Sequence, residues 1–114
     1  MIAVAEALAM GKKLGLDPKK LAGIMSKATG RCWSVDTYPP APGVHPTPVP
    51  ADRDYQGGFA TELLVKDLGI AMNAAKEAGA DLKIGKKSFE IYQQLVKDGH
   101  ARRDFSIIYK TLIE

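Results

Sequence analysis

The stretch FATELLVKDLGIAMNAAKEAG, residues 59–79, holds the longest helical pattern of the chain. It lacks proline, is rich in Ala, Leu and Glu, and meets a glycine stop at Gly79. A helix from Phe59 to about Ala78 is predicted. At 100° per residue, Leu63 and Ile70 fall within about 40° of Phe59, with Lys66 at the edge of that stripe. Asp67 falls among Ala60, Leu63, Leu64, Ile70, Ala71 and Ala74. Val65, Leu68 and Met72 cover much of the other side, so the helix reads as apolar nearly all round, and hence central. A carboxylate in such a place needs a partner, because an uncompensated buried charge costs several kcal/mol. From periodicity alone, Lys66 and Asp67 have two readings. In one, Lys66 pairs with Glu62 at i, i+4 and Asp67 bonds a loop amide. In the other, Lys66 reaches an anionic ligand, Phe59 walls the same site, and Gly57-Gly58 lets backbone come close.

Outward from this helix the pattern stays helical. Residues 2–14 hold good helix formers ahead of Gly15. Asp17-Pro18 opens a second helix as N-cap and first helical residue. That helix carries Leu21, Ile24, Met25 and Ala28 at core spacing and stops at Gly30. A fourth covers about 82–97 with Phe89, Ile91, Tyr92, Leu95 and Val96 apolar, closed by Gly99. Asp104 caps a last short helix with Phe105, Ile108, Tyr109 and Leu112. Five helices and no strand pattern define an all-α bundle, a single domain over 1–114.

Between Gly30 and Gly58 lie six of the seven prolines, concentrated in the loop at 39–50. Proline removes amide donors and breaks helices, so this segment is no single regular element. Trp33, Tyr38 and Tyr55 argue for an ordered loop, with a helical turn around 34–38.

Composition excludes some function classes. A net charge of +3, without an aromatic-interleaved basic patch, speaks against nucleic acid. There is no apolar run long enough for a membrane helix. The start, MIAVAEALAMGKK, is apolar and then basic, the reverse of a secretory signal. The lone Cys32 forms no internal disulfide, fits a reducing compartment, and reads as a structural thiol, since His45 and His100 are remote in sequence. No metal cluster is expected.

In order, AEALAMGKKLGLDP, GRCWSVDTYPP, YQGGF and F-x-x-x-L-x-x-KDLGIA resemble the β-hydroxyacid dehydrogenases, specifically the C-terminal half of the 3-hydroxyisobutyrate branch. The resemblance spans essentially the whole chain. It implies a helical domain like that of the 6-phosphogluconate dehydrogenase-like enzymes, completing a site with an N-terminal Rossmann domain. It also implies NAD as cofactor, held mainly by that other domain, and a homo-dimer or homo-tetramer. The implied reaction oxidises a small hydroxyacid, 3-hydroxyisobutyrate, to methylmalonate semialdehyde in valine breakdown. The implied compartment is the mitochondrial matrix in a eukaryote and the cytoplasm in a bacterium.

The resemblance places the family's catalytic lysine upstream of Met1, so no catalytic residue is expected in this chain and the fragment alone is expected to be inactive. Lys66 and Phe59 match cofactor-binding positions. Trp33, Tyr38 and Asp67 match the substrate pocket. The family pattern often runs KDLGxAxD; here Asn73 stands at the last place, and an amide replaces a carboxylate as a hydrogen-bond partner but not as a charge. The competing reading is a non-catalytic helical pairing module, favoured by the lack of any G-x-G-x-x-G turn in these residues.

Overall fold

The computed structural model describes all residues 1–114. The first helix, α1 (Ile2–Lys13), buries Val4, Ala5, Leu8 and Ala9, a stripe at i, i+1, i+4 and i+5. Lys12 and Lys13 lie in its last turn, where positive charge suits the helix dipole. Gly15 ends it at φ +84°, with the Leu16 amide bonded to the Gly11 carbonyl (2.9 Å) and the Gly15 amide to that of Lys12 (3.0 Å). This double bond pattern satisfies the last carbonyls of the helix. Helix α2 (Pro18–Met25) starts as expected, with Asp17 accepting from the Lys20 amide at 2.8 Å. Its core face agrees with expectation in part: Leu21 and Met25 pack against the core, whereas Ile24 is 66% exposed, Ala28 is exposed and Ala22 is buried in their place. It also ends at Met25, not Gly30, because residues 26–30 continue only as turns.

Helix α3 (Trp33–Asp36) is the short turn expected near 34–38. From there the chain runs irregularly to a 3-10 turn at Pro50–Arg53. The loop is part of the core, since Pro39, Pro40, Ala41, Val44 and Val49 are all buried. Asp54 (φ 50°) and Tyr55 (φ 59°) then adopt left-handed backbone in succession, at a cost of about 1–2 kcal/mol each. Their contacts offset it. The Tyr55 hydroxyl donates to the Pro40 carbonyl (2.9 Å), and the Tyr55 carbonyl accepts from the Asp104 amide (2.8 Å). Asp54 receives Lys110 at 2.8 Å and Arg103 at 3.0 Å.

Helix α4 (Thr61–Glu77) and helix α5 (Lys83–Leu95) form an antiparallel hairpin. A π turn (Val96–His100) follows, broken at Gly99 (φ 93°). A 3-10 turn (Phe105–Ile107) leads into α6 (Ile108–Ile113), which packs on α1. No strand forms; the one β-bridge joins Ala60 to Asp104.

The central position expected for the 59–78 helix is not what the fold shows. Thr61 is the only buried residue of α4, and residues 62–91 contain none. Leu64, Val65 and Leu68 are partly buried against the core, whereas Leu63 and Ile70 are 44% and 61% exposed. The hairpin projects, and the radius of gyration, 14.5 Å, exceeds the ~13 Å of a compact chain of this length.

Candidate functional site

Two residues in contact in space but 66 apart in sequence, Tyr38 and Asp104, hold the site together. Asp104 is fully buried, and each of its carboxylate oxygens accepts twice. Oδ1 takes the Ser106 amide (2.9 Å) and the Ser106 hydroxyl. Oδ2 takes the Tyr38 hydroxyl (2.8 Å) and the Phe59 amide (2.8 Å). Four donors supply what a buried carboxylate needs to remain inside. Tyr38 titrates above its ordinary value, first because burial disfavours the phenolate and then because Asp104 holds its proton.

Around this bond runs a chain of rings. Trp33 stacks on Tyr38 at 4.7 Å, and Tyr38 stacks on Phe105 at 5.9 Å. Phe59 meets Phe105 edge-on at 6.1 Å, and Tyr92 lies 6.5 Å from it. Trp33, 55% exposed, and Phe59, 36% exposed, present the outer ends of the chain to solvent. Both are therefore surface aromatics. Phe105, at the centre, was read from the sequence only as an apolar residue of the last helix; nothing in its spacing marked it as the junction.

Gly58 (φ +71°) makes the arrangement possible. A Cβ there would overlap Asp104 Oδ2, Tyr38 Oη and Pro50 Cγ. The close backbone approach expected at Gly57-Gly58 is therefore made to the protein's own Tyr38–Asp104 bond.

Lys66 and Asp67 are not inside a helix bundle. Lys66 Nζ lies 3.0 Å from Asp67 Oδ1, and their side chains are 63% and 50% exposed. Neither the Glu62–Lys66 pair nor a loop amide on Asp67 forms. Helix geometry nevertheless puts Leu63, Lys66 and Ile70 on one exposed stripe of α4, whereas Phe59, expected to open that helix, precedes its N-cap Ala60 and is itself exposed. Trp33, Tyr38 and Phe59 thus come together through Phe105, whereas Lys66 is paired with Asp67 on the exposed side of α4. Arg31, exposed to solvent, pairs with Asp36 at 2.8 Å. Ser26 and Arg31 hold the Asp36 carboxyl below its usual range.

One concavity is an apolar groove of about 570 Å³. It lies between the start of α1 and the hairpin, lined by Ile2, Leu64, Leu68, Ile91, Tyr92 and Phe105, with Glu6 and Lys87 among its few polar members. It shares Phe105 and Tyr92 with the aromatic chain but includes none of Trp33, Tyr38, Phe59, Lys66 and Asp67. No three His, Cys, Asp or Glu side chains converge as a metal site would require. No helix is long and apolar enough to cross a membrane.

Comparison with known proteins bears on the family and the fold. A "Probable 3-hydroxyisobutyrate dehydrogenase, mitochondrial" of Dictyostelium discoideum is 47% identical over 112 residues, 98% of this chain and 35% of the relative. An "NAD-dependent L-serine dehydrogenase" of Pseudomonas aeruginosa is 44% identical over 110 residues, 96% of this chain and 37% of the relative. The solved structure of a Mycobacterium tuberculosis 3-hydroxyisobutyrate dehydrogenase with L-serine superposes with a TM-score of 0.92 at 43% identity, covering 99% of this chain and 38% of that one. The chain spans about a third of the length of the curated relatives it matches. The family profile described as "NAD-binding of NADP-dependent 3-hydroxyisobutyrate dehydrogenase" matches residues 1–112, and the chain belongs to that family.

Proposed function

We propose that this chain is the helical, site-completing and subunit-pairing portion of an NAD-dependent dehydrogenase acting on a small 3-hydroxy acid, a fold like the C-terminal domain of the 6-phosphogluconate dehydrogenase-like enzymes. The observation that carries the reading is the exposed stripe Leu63–Lys66–Ile70, with the exposed Phe59 just ahead of its helix. It offers one ammonium on an apolar, aromatic-edged face. Such a face suits a ligand with a flat ring and an anionic group. Lys66 would pair with a phosphate of the cofactor or the substrate carboxylate, exchanging its solvent-screened contact with Asp67 for a desolvated one. Phe59 would cover the ring. Trp33 and Tyr38, linked to it through Phe105, would exclude water from the hydroxyl-bearing carbon.

Bound NAD would supply the hydride acceptor for that carbon, with the hydroxyl proton going to a base, so that the alcohol would be oxidised to an aldehyde. The base in this reading is the family lysine, expected outside these residues. The 114 residues contain no glycine-rich dinucleotide turn, so on their own they are expected neither to bind NAD tightly nor to turn over. 3-Hydroxyisobutyrate and L-serine, which appear in the relatives' names, share the skeleton HOCH2–CHX–COO⁻ and differ only in a methyl or ammonium at X. We take 3-hydroxyisobutyrate as the substrate, consistent with the valine-degrading role, and the mitochondrial matrix or bacterial cytoplasm as the compartment.

The test is Lys66→Ala in the longer enzyme. Because Lys66 is exposed, its removal is expected to leave the melting point unchanged while lowering kcat/KM by about tenfold or more. An unchanged rate with a lowered melting point would instead favour a purely structural pairing module.

A further inference from the structure

We infer that Asp104 is the positioning residue of the aromatic wall, acting through one oxygen of its carboxylate. The inference rests on the reading of Trp33, Tyr38 and Phe59 as that wall. Oδ2 is shared by the Tyr38 hydroxyl and the Phe59 amide, both at 2.8 Å, so a single atom fixes a ring in the long loop and the backbone at the entry to α4. The Phe59 carbonyl is held from the same side, by the Phe105 amide at 2.9 Å. Phe59 is therefore tied through both its backbone groups to the Asp104-Phe105 pair. Trp33 in turn has its ring seated on Tyr38 at 4.7 Å. Displace Oδ2 and all three rings lose their common reference.

The other oxygen serves a different purpose. Oδ1 accepts only from Ser106, two residues on, and so caps the turn at Phe105–Ile107. One carboxylate thus has a local, structural edge and a long-range, positioning edge. An amide cannot replace it: an Asn side chain offers a single acceptor oxygen, so it must present its NH2 either to the Ser106 amide or to the Phe59 amide, donor against donor. Gly58 leaves no slack for the group to shift, since any added atom there meets Oδ2 itself.

The two edges give separable tests. Trp33 is the only tryptophan of the chain, so the near-UV circular dichroism of the 114-residue protein reports the Trp33–Tyr38 stack. Asp104→Asn is expected to lose most of the tryptophan band. Tyr38→Phe, which removes one bond and keeps the other three, is expected to weaken it in a protein that remains folded. Ser106→Ala is expected to lower the melting point and keep the band. In the longer enzyme, Asp104→Asn and Tyr38→Phe are expected to raise KM for the 3-hydroxy acid about tenfold with kcat within about twofold, and Ser106→Ala to do neither. An intact band in Asp104→Asn or in folded Tyr38→Phe, or equal loss in Ser106→Ala, overturns the inference. Loss of the band with KM unchanged supports the positioning role and overturns the assignment of the wall to the substrate.

Discussion

Gly58 lies so close to Asp104 that no Cβ fits between its backbone and Oδ2. Gly57, one residue earlier, has the same left-handed backbone (φ +74°), but a Cβ there would meet only Arg53 Nη2, at 3.8 Å. The pair separates conformational strain from steric exclusion. Gly57→Ala is expected to cost about 1–2 kcal/mol, the penalty of left-handed alanine. Gly58→Ala adds the displacement of a buried carboxylate and is expected to cost about 3 kcal/mol or more, if the chain folds at all. Denaturant melts of the two variants measure the difference; equal costs would show that the Tyr38–Asp104 bond yields freely.

The corner at Asp54 carries a pH signature. Lys110, then Arg103, hold the Asp54 carboxyl below its usual 3.8, and Asp54 holds Lys110 above its usual 10.5. The depressed carboxylate stabilises the fold above 3.8, and that contribution is lost as pH falls through its lower folded value. The raised ammonium stabilises below 10.5, and that contribution is lost as pH rises through its higher folded value. Lys110→Met is therefore expected to be less stable than the parent between these limits, with the gap closing at both extremes. A gap independent of pH would mean that lost packing of the lysine stem, not charge, is responsible.

Core and hairpin are expected to respond differently to truncation. Leu8, with no exposed surface, is enclosed by the main core, and Leu8→Ala is expected to cost about 3 kcal/mol. Ile84 is 82% exposed, and Ile84→Ala is expected to change stability by less than about 0.5 kcal/mol. Thermal melts of both variants test the division.

The hairpin's apolar residues are expected to drive self-association. Leu63, Ile70, Leu82 and Ile84 are all more than two-fifths exposed, and clustered exposure of this kind marks an association surface. Sedimentation at rising concentration is expected to show dimers or larger species, and Ile70→Lys with Ile84→Lys to reduce them. A strictly monomeric profile for the parent would remove the subunit-pairing part of the proposed function.

Much of the architecture was legible because it rests on local rules. Gly15 and Gly79 stop helices through backbone geometry that glycine adopts easily, and Asp17-Pro18 opens one through its own side chain and ring. What escaped depends on distant partners. The 3.6-residue period grouped Leu63, Lys66 and Ile70 on one stripe, though not Phe59, which precedes the N-cap Ala60, and a shared face does not reveal whether anything covers it. The opposite side, Leu64, Val65 and Leu68, is the one that packs. Asp104 was legible as a helix cap, the role of Oδ1, whereas Oδ2 bonds residues 45 and 66 positions away. The proline-rich loop buries residues at no regular interval, so periodicity could not find them.

A last consequence follows from the arm formed by residues 62–91, none of which is fully covered. Its amide protons are guarded by helical bonds and by the contact of α4 with α5, with little of the core above them. Deuterium is expected to enter this limb through local fraying well before it reaches α1 and α6. The lysine-bearing stripe is therefore expected to sit on the limb that opens most readily, and so to adjust to a ligand that docks there.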